Sequence, residues 1–166
     1  MNNLAFGCSH TYGVGVDRHQ AWPALLNLKN YGVPGTSTDY IDRILPDKVK
    51  ENDPTKIFIL WPIWTRFEYI HNDRYCQSLP TDSNRILFME EWTEEKLKQN
   101  FSNKQNNIKN FCNEKNIKLI ALDFEDLAPY IDHADRWPRS KLGHHNAPIW
   151  HKWVADIFLR KENEQT

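Results

Sequence analysis

The amino-acid sequence predicts an α/β fold, a three-layer α/β/α sandwich around a mainly parallel sheet. Three observations predict it. Strand-like segments alternate along the chain with amphipathic helical ones, which favours parallel strands joined by crossover helices. The stretch Lys56-Ile57-Phe58-Ile59-Leu60-Trp61 is apolar after its first residue, the pattern of a strand covered on both faces. The first strand-like segment, Leu4-Ala5-Phe6, runs into Gly7-Cys8-Ser9-His10-Thr11-Tyr12-Gly13-Val14-Gly15, a glycine-bracketed turn of the kind that ends a buried strand. A length of 166 residues suits one domain, 1–166, and no internal repeat or linker divides it.

After the opening turn, Asp17 to Leu28 reads as a short helix, with Trp22, Leu25, Leu26 and Leu28 on its apolar side and Pro23 in its first turn. Asn30-Tyr31-Gly32-Val33-Pro34-Gly35-Thr36-Ser37-Thr38 is a second glycine-containing turn. It opens a helix with Ile41, Ile44, Leu45 and Val49 on one face and Ser37 or Thr38 as N-cap. Asp39, Asp42 and Arg43 read as the solvated face of that helix. Lys56–Trp61 is a strand ended by Pro62. The segment at about 63–91 sustains no period and is expected to be an irregular, lid-like insertion. Thr93 caps a helix running to about Asn116, with Glu94 and Glu95 in its first turn and Leu97, Phe101, Ile108 and Phe111 facing inward. Ile117–Leu122 is the next strand. Beyond an irregular Asp123–Gly143, a last helix from about Pro148 to Arg160 carries Ile149, Trp153, Ile157 and Phe158, and the tail Lys161–Thr166 is expected to fray.

Composition narrows the function classes. Lys and Arg number 21 against 22 Asp and Glu, without a basic stripe interleaved with aromatics, so nucleic acid is not an expected partner. No apolar run approaches the ~20 residues of a membrane helix, and the N-terminus lacks the pattern of a secretion signal. Cys8, Cys76 and Cys112 are odd in number and widely spaced, which matches neither a disulfide framework nor a metal knuckle. The expectation is a cytoplasmic protein that does not engage a membrane.

In an open parallel sheet the carboxyl ends of the strands form the ligand crevice, so Ser9, just past the first strand, is placed to face it. Two further turns leave the second and third strand-like regions, and a His-rich segment precedes the last helix. Gly7-Cys8-Ser9-His10-Thr11, Asn30-Tyr31-Gly32-Val33-Pro34-Gly35-Thr36-Ser37 and the terminal His145, Pro148 and His151 together resemble the SGNH (GDSL-type) hydrolase family in order and spacing. The resemblance implies a flavodoxin-like sandwich and ester hydrolysis. It implies Ser9 as nucleophile and first oxyanion donor through its N–H, Gly35 as second donor, and His145 or its neighbour His144 as general base. Such a Ser needs an imidazole to take its proton and a carboxylate to orient that imidazole.

The chain departs from the family pattern at three places. Cys8 stands where the usual motif has Asp, a position without a catalytic role. The third block reads Leu60-Trp61-Pro62-Ile63-Trp64-Thr65-Arg66 and has no Asn to donate to the oxyanion, leaving Thr65 or Arg66 for that part. The carboxylate normally three residues before the His is replaced by Leu142, or Lys141 for His144, so Asp135, or Asp132, is the candidate to orient the ring.

The expected substrate is a small-molecule or glycan ester, an O-acetyl or short acyl ester, with no cofactor. The alternative is a catalytically silent module that binds a glycan or protein through the same rim. A metal centre among His133, His144, His145 and His151 is a third reading; adjacent histidines and the missing His-x-x-x-His pair argue against it. His151 reads as a helix residue covering the core edge, and Cys8 as packing rather than an alternative nucleophile. Arg66 and Glu68 read as an ion pair at the rim. Trp61, Trp64, Phe67, Tyr69 and Trp92 either wall a substrate or cover the sheet.

Overall fold

The computed structural model describes residues 2–71, 74–78, 92–123, 127 and 148–164. Strand β1 (Leu4–Phe6) lies centrally in a four-stranded parallel sheet, paired on one side with β2 (Lys29–Asn30) and on the other with β3 (Lys56–Leu60). Residues Lys118–Leu122 pair outside β3 in register Lys56↔Lys118 to Leu60↔Leu122. All four strands therefore end on one rim.

Alternation along these strands sends side chains to two cores, as the period of a strand requires. Leu4, Phe6, Ile57, Ile59 and Trp61 face Ile41 and Leu45 of the helix Thr38–Asn52, and Ile108 and Cys112 of the helix Glu94–Glu114. Ala5, Phe58, Leu60, Ile120 and Leu122 face Trp22 of the one-turn helix Trp22–Leu25, and Trp150, Val154 and Phe158 of the helix Pro148–Glu164. The result is the three-layer sandwich that the sequence predicts. In chain order the helices are α1 (Ser9–Tyr12), α2 (Trp22–Leu25), α3 (Thr38–Asn52), α4 (Glu94–Glu114) and α5 (Pro148–Glu164).

The N-caps of α3 and α4 form as expected. Ser37 Oγ accepts from Tyr40 N–H at 3.4 Å, and Thr93 Oγ1 accepts from Lys96 N–H at 3.4 Å, each quenching one of the donors a helix start leaves open.

Four expectations are corrected. Asp17–Leu28 is not one helix: a 3₁₀ turn at Arg18–Gln20 and the separate α2 meet at Ala21, whose extended backbone (ψ 142°) precedes Trp22 and Pro23. The extended Ala21 breaks the helix, Pro23 falls in the first turn of α2, where its missing N–H costs no hydrogen bond, and Leu25 is left 41% exposed. The insertion is not wholly irregular, because β4 (Phe67–His71) and β5 (Arg74–Ser78) form an antiparallel hairpin. Helix α5 continues to Glu164 rather than fraying from Lys161, with Lys56 Nζ bonded to Glu162 at 2.5 Å and Lys118 Nζ bonded to the Glu162 carbonyl at 2.8 Å. Ile149 is 40% exposed, so the buried face of that helix is Trp150, His151, Val154, Ala155 and Phe158. With β6 (Lys118–Leu122) at the outer edge, no helix among the described residues is long and apolar enough to cross a membrane.

Candidate active site

The rim begins with β1. Gly7 follows Phe6, and a Cβ at Gly7 would lie 2.7 Å from the Leu60 carbonyl oxygen and collide with the Thr11 side chain. Only glycine lets the chain bend there against β3. The chain then folds into α1, whose first residue is Ser9. Thr11 N–H and Tyr12 N–H both donate to the Cys8 carbonyl, at 3.0 and 2.9 Å, and Gly13 and Val14 N–H both donate to the Ser9 carbonyl at 3.0 Å. Ser9 is 8% exposed at this helix start, and its N–H has no acceptor among the described residues.

The second turn lies beside the first. The β1–β2 ladder continues past β2: Tyr31 N–H donates to the Ala5 carbonyl at 2.8 Å and Val33 N–H to the Gly7 carbonyl at 3.0 Å. Two residues on, Gly35 has φ 79°, a left-handed conformation that glycine adopts without a Cβ penalty. Its N–H also has no acceptor among the described residues. Thr36, Ser37 and Thr38, which follow, are all at most 2% exposed, and the Thr36 and Thr38 hydroxyls have no hydrogen-bond partner among the described residues.

The third turn leaves β3. Arg66 N–H donates to the Ile63 carbonyl at 3.1 Å, closing a turn that contains Trp64 and Thr65. The Arg66 Nε and Nη1 atoms are buried without an acceptor among the described residues. The expected Arg66–Glu68 pair is not formed. Glu68 instead takes a bidentate contact from Arg43 Nε and Nη2, at 3.0 and 2.8 Å. Nor is the charged side of α3 only a solvated face: Arg43 is exposed, but Asp39 and Asp42 are part-buried. Asp39 accepts from Asn100 Nδ2 at 2.9 Å and from Glu68 N–H at 3.4 Å, and Asp42 accepts from Lys104 Nζ at 2.9 Å. These groups stitch α3 to α4 and to the hairpin, a use that a helical period cannot reveal.

The aromatic set divides. Trp61 is 4% exposed and edge-on to Phe101, and Phe67 is 1% exposed and stacked on Trp92 at 4.7 Å, so these cover the sheet. Trp64 and Tyr69 are part-exposed near the rim, with Lys98 Nζ 5.0 Å over the Trp64 ring.

His144, His145, Asp132 and Asp135 lie outside the described residues, as does His133. The helix that follows them begins at Pro148, and its Trp150 packs on His10, the neighbour of Ser9, with ring centroids 5.3 Å apart. His151 is 1% exposed and accepts from Trp22 N–H through Nδ1 at 3.3 Å. Burial, helped by the nearby His10, pushes its pKa down to about 4, so it is a neutral structural residue at neutral pH. Cys8 is buried and unpaired in a disulfide, as is Cys112, whose thiol burial pushes up to about 11. No cluster of three potential metal ligands occurs among the described residues.

No family model matches the chain, and no curated protein matches it by sequence. Solved structures do. TesA superposes with a TM-score of 0.62 at 12% identity, covering 97% of each chain. The psychrotrophic esterase EstA of Pseudoalteromonas sp. gives 0.54 at 12% identity, covering 99% of this chain and 98% of its own. A lipolytic protein of the G-D-S-L family from Desulfitobacterium hafniense DCB-2 gives 0.52 at 15% identity, covering 96% of this chain and 98% of its own. The three-layer α/β/α architecture of this chain is thus the fold of the SGNH (GDSL-type) hydrolases that its motifs resemble.

Proposed function

We propose that the chain is a serine hydrolase of esters, with an O-acetyl or short acyl ester, including one carried on a glycan, as substrate. The observation that carries this is the pair of unengaged backbone donors. Ser9 N–H and Gly35 N–H sit on adjoining turns at one rim, the turns are tied through Val33 N–H and the Gly7 carbonyl, and neither donor has an acceptor among the described residues. Such an arrangement suits an oxyanion that exists only during reaction.

In this mechanism Ser9 Oγ attacks the ester carbonyl while His145, or His144 beside it, takes the hydroxyl proton and Asp135 orients the ring. The carbonyl oxygen becomes an alkoxide held by the Ser9 and Gly35 N–H groups. Collapse expels the alcohol, which takes the proton back from the imidazolium, and leaves an acyl-Ser9 ester. Water then attacks with the same histidine as base, releasing the acid and restoring Ser9. The third donor is Arg66 rather than Thr65. A guanidinium with two buried N–H groups that find no acceptor among the described residues is costly to keep, and it fits a site whose acceptor arrives with the substrate. The segment before Pro148 supplies the base, consistent with the packing of Trp150 beside Ser9's neighbour.

Support also comes from the esterase and lipolytic neighbours in fold, and from further fold relatives, an acetyl-xylooligosaccharide esterase and a two-domain esterase active on acetylated mannans. The test is turnover of aryl acetates and acetylated xylooligosaccharides by the wild type and by Ser9→Ala. Loss of turnover in the variant is expected, and equal turnover by both would sink the assignment. The absence of Asn from Leu60–Arg66 favours the second reading, a silent module on the same rim. Binding of an acetylated oligosaccharide with no turnover would establish it instead.

A further inference from the structure

We infer that Asn30 is a positioning residue for the reaction, a side-chain staple that fixes the Ser9 turn against the Gly35 turn; this rests on the catalytic use of those two turns proposed above. A four-residue helix such as α1 leaves its last carbonyls without intrahelical partners. Here the amide of Asn30 supplies them from another segment. Its Nδ2 donates to the Thr11 carbonyl at 2.8 Å and, at a longer 3.5 Å, to the Tyr12 carbonyl. Its Oδ1 accepts from Gly32 N–H at 2.8 Å, inside the turn that leads to Gly35. One planar amide thus uses its donor nitrogen and its acceptor oxygen to join the two segments.

Asn30 is the last residue of β2, paired with Ala5, and is exposed at the strand's end, so core packing does not explain it. Close contact between the same two segments supports the staple independently. A Cβ at Gly32 would lie 2.5 Å from Tyr12 N and 2.8 Å from the Thr11 carbonyl carbon, so the second turn rests directly on the end of α1. With Val33 N–H on the Gly7 carbonyl at 3.0 Å, the Ser9 turn is gripped at its entry by backbone and at its exit by Asn30. The relative placement of Ser9 N–H and Gly35 N–H follows from these contacts, and small misplacements of such groups are costly in rate.

Asn30→Asp nearly preserves shape and keeps the acceptor for Gly32 N–H, but sets a carboxylate against two carbonyl oxygens. With an aryl acetate, kcat is expected to fall by roughly 10- to 100-fold with KM within about threefold of wild type. Gly32→Ala, which keeps the N–H bonded to Asn30 Oδ1 but wedges the same seam apart, should give the same kcat-selective loss. Amide hydrogen exchange of Gly13 and Val14, whose N–H groups bond to the Ser9 carbonyl, should quicken at least about tenfold in Asn30→Asp while Ile57–Ile59 stay protected. The exchange measurement does not depend on activity. If the wild type itself turns over no ester, the hydrolase assignment fails while exchange still decides the staple. Unchanged Gly13 and Val14 exchange, or kcat within twofold of wild type in folded Asn30→Asp, would overturn the inference.

Discussion

Ser9, Gly35 and Arg66 are single residues whose local surroundings bear on chemistry. The Ser9 and Gly35 turns were legible in the sequence because glycine spacing after an apolar strand has few physical explanations. The choice between Thr65 and Arg66 was not, since it depends on which group is buried without an acceptor. Arg66→Ala is expected to lower kcat by roughly 10²-fold, the usual loss for one oxyanion donor, while Thr65→Val stays within a few-fold of wild type. Steady-state kinetics on one ester checks both. A large loss in Thr65→Val with an active Arg66→Ala would reverse the assignment. Asn30 escaped sequence reasoning because a polar residue beside Tyr31-Gly32 reads as an ordinary turn former. Its meaning lies in the contact with Thr11 and Tyr12, eighteen or more residues earlier.

Among the elements, α3, β3, α4 and β6 followed directly from apolar period and caps. The β4–β5 hairpin did not, because its pairs mix aromatic, charged and polar residues, Glu68 with Gln77 and Ile70 with Tyr75, and alternate too weakly to show a period of two. What holds it is lateral. Arg43 on α3 grips Glu68 in a fork and lies 4.1 Å over the Tyr75 ring and 5.2 Å over Tyr40, while Phe67 anchors the other side against Trp92. The Glu68 carboxylate, largely buried, in turn holds the Arg43 pKa above its usual value. Arg43→Ala is expected to cost about 2 kcal/mol, the scale of hydrogen bonds to a charged partner plus a cation–π contact. Denaturant melts would measure the loss, and hydrogen exchange would place it in Phe67–Ile70 rather than in the central sheet. A variant as stable as wild type would show that the hairpin docks by other means.

At the scale of the molecule, strands and helices in alternation were enough to call for a parallel sheet with a core on each face, and the two cores around β1 and β3 bear that out. The polar stitching between layers was not legible, because Asp39, Asp42 and Arg43 find partners 25 to 65 residues away. His151 couples one of these cores to pH. The folded state holds it neutral with a pKa near 4, whereas the unfolded chain titrates near the ordinary value of 6.5, so the unfolded state binds the extra proton first. Its contribution is present above pH 6.5 and is lost as pH falls toward 4, a change of about 3 kcal/mol. Stability measured across that window should slope downward with acid in the wild type and flatten in His151→Phe. An equal slope in both would assign the acid sensitivity elsewhere.

The most direct measurement for a nucleophilic Ser9 is labelling of the folded protein with a fluorophosphonate, followed by mapping of the adduct. The wild type should carry one adduct on Ser9, retained in Cys8→Ala and abolished in His145→Ala, with His144→Ala reacting normally. No adduct on folded protein, or an adduct that survives Ser9→Ala, would contradict a Ser9 hydrolase.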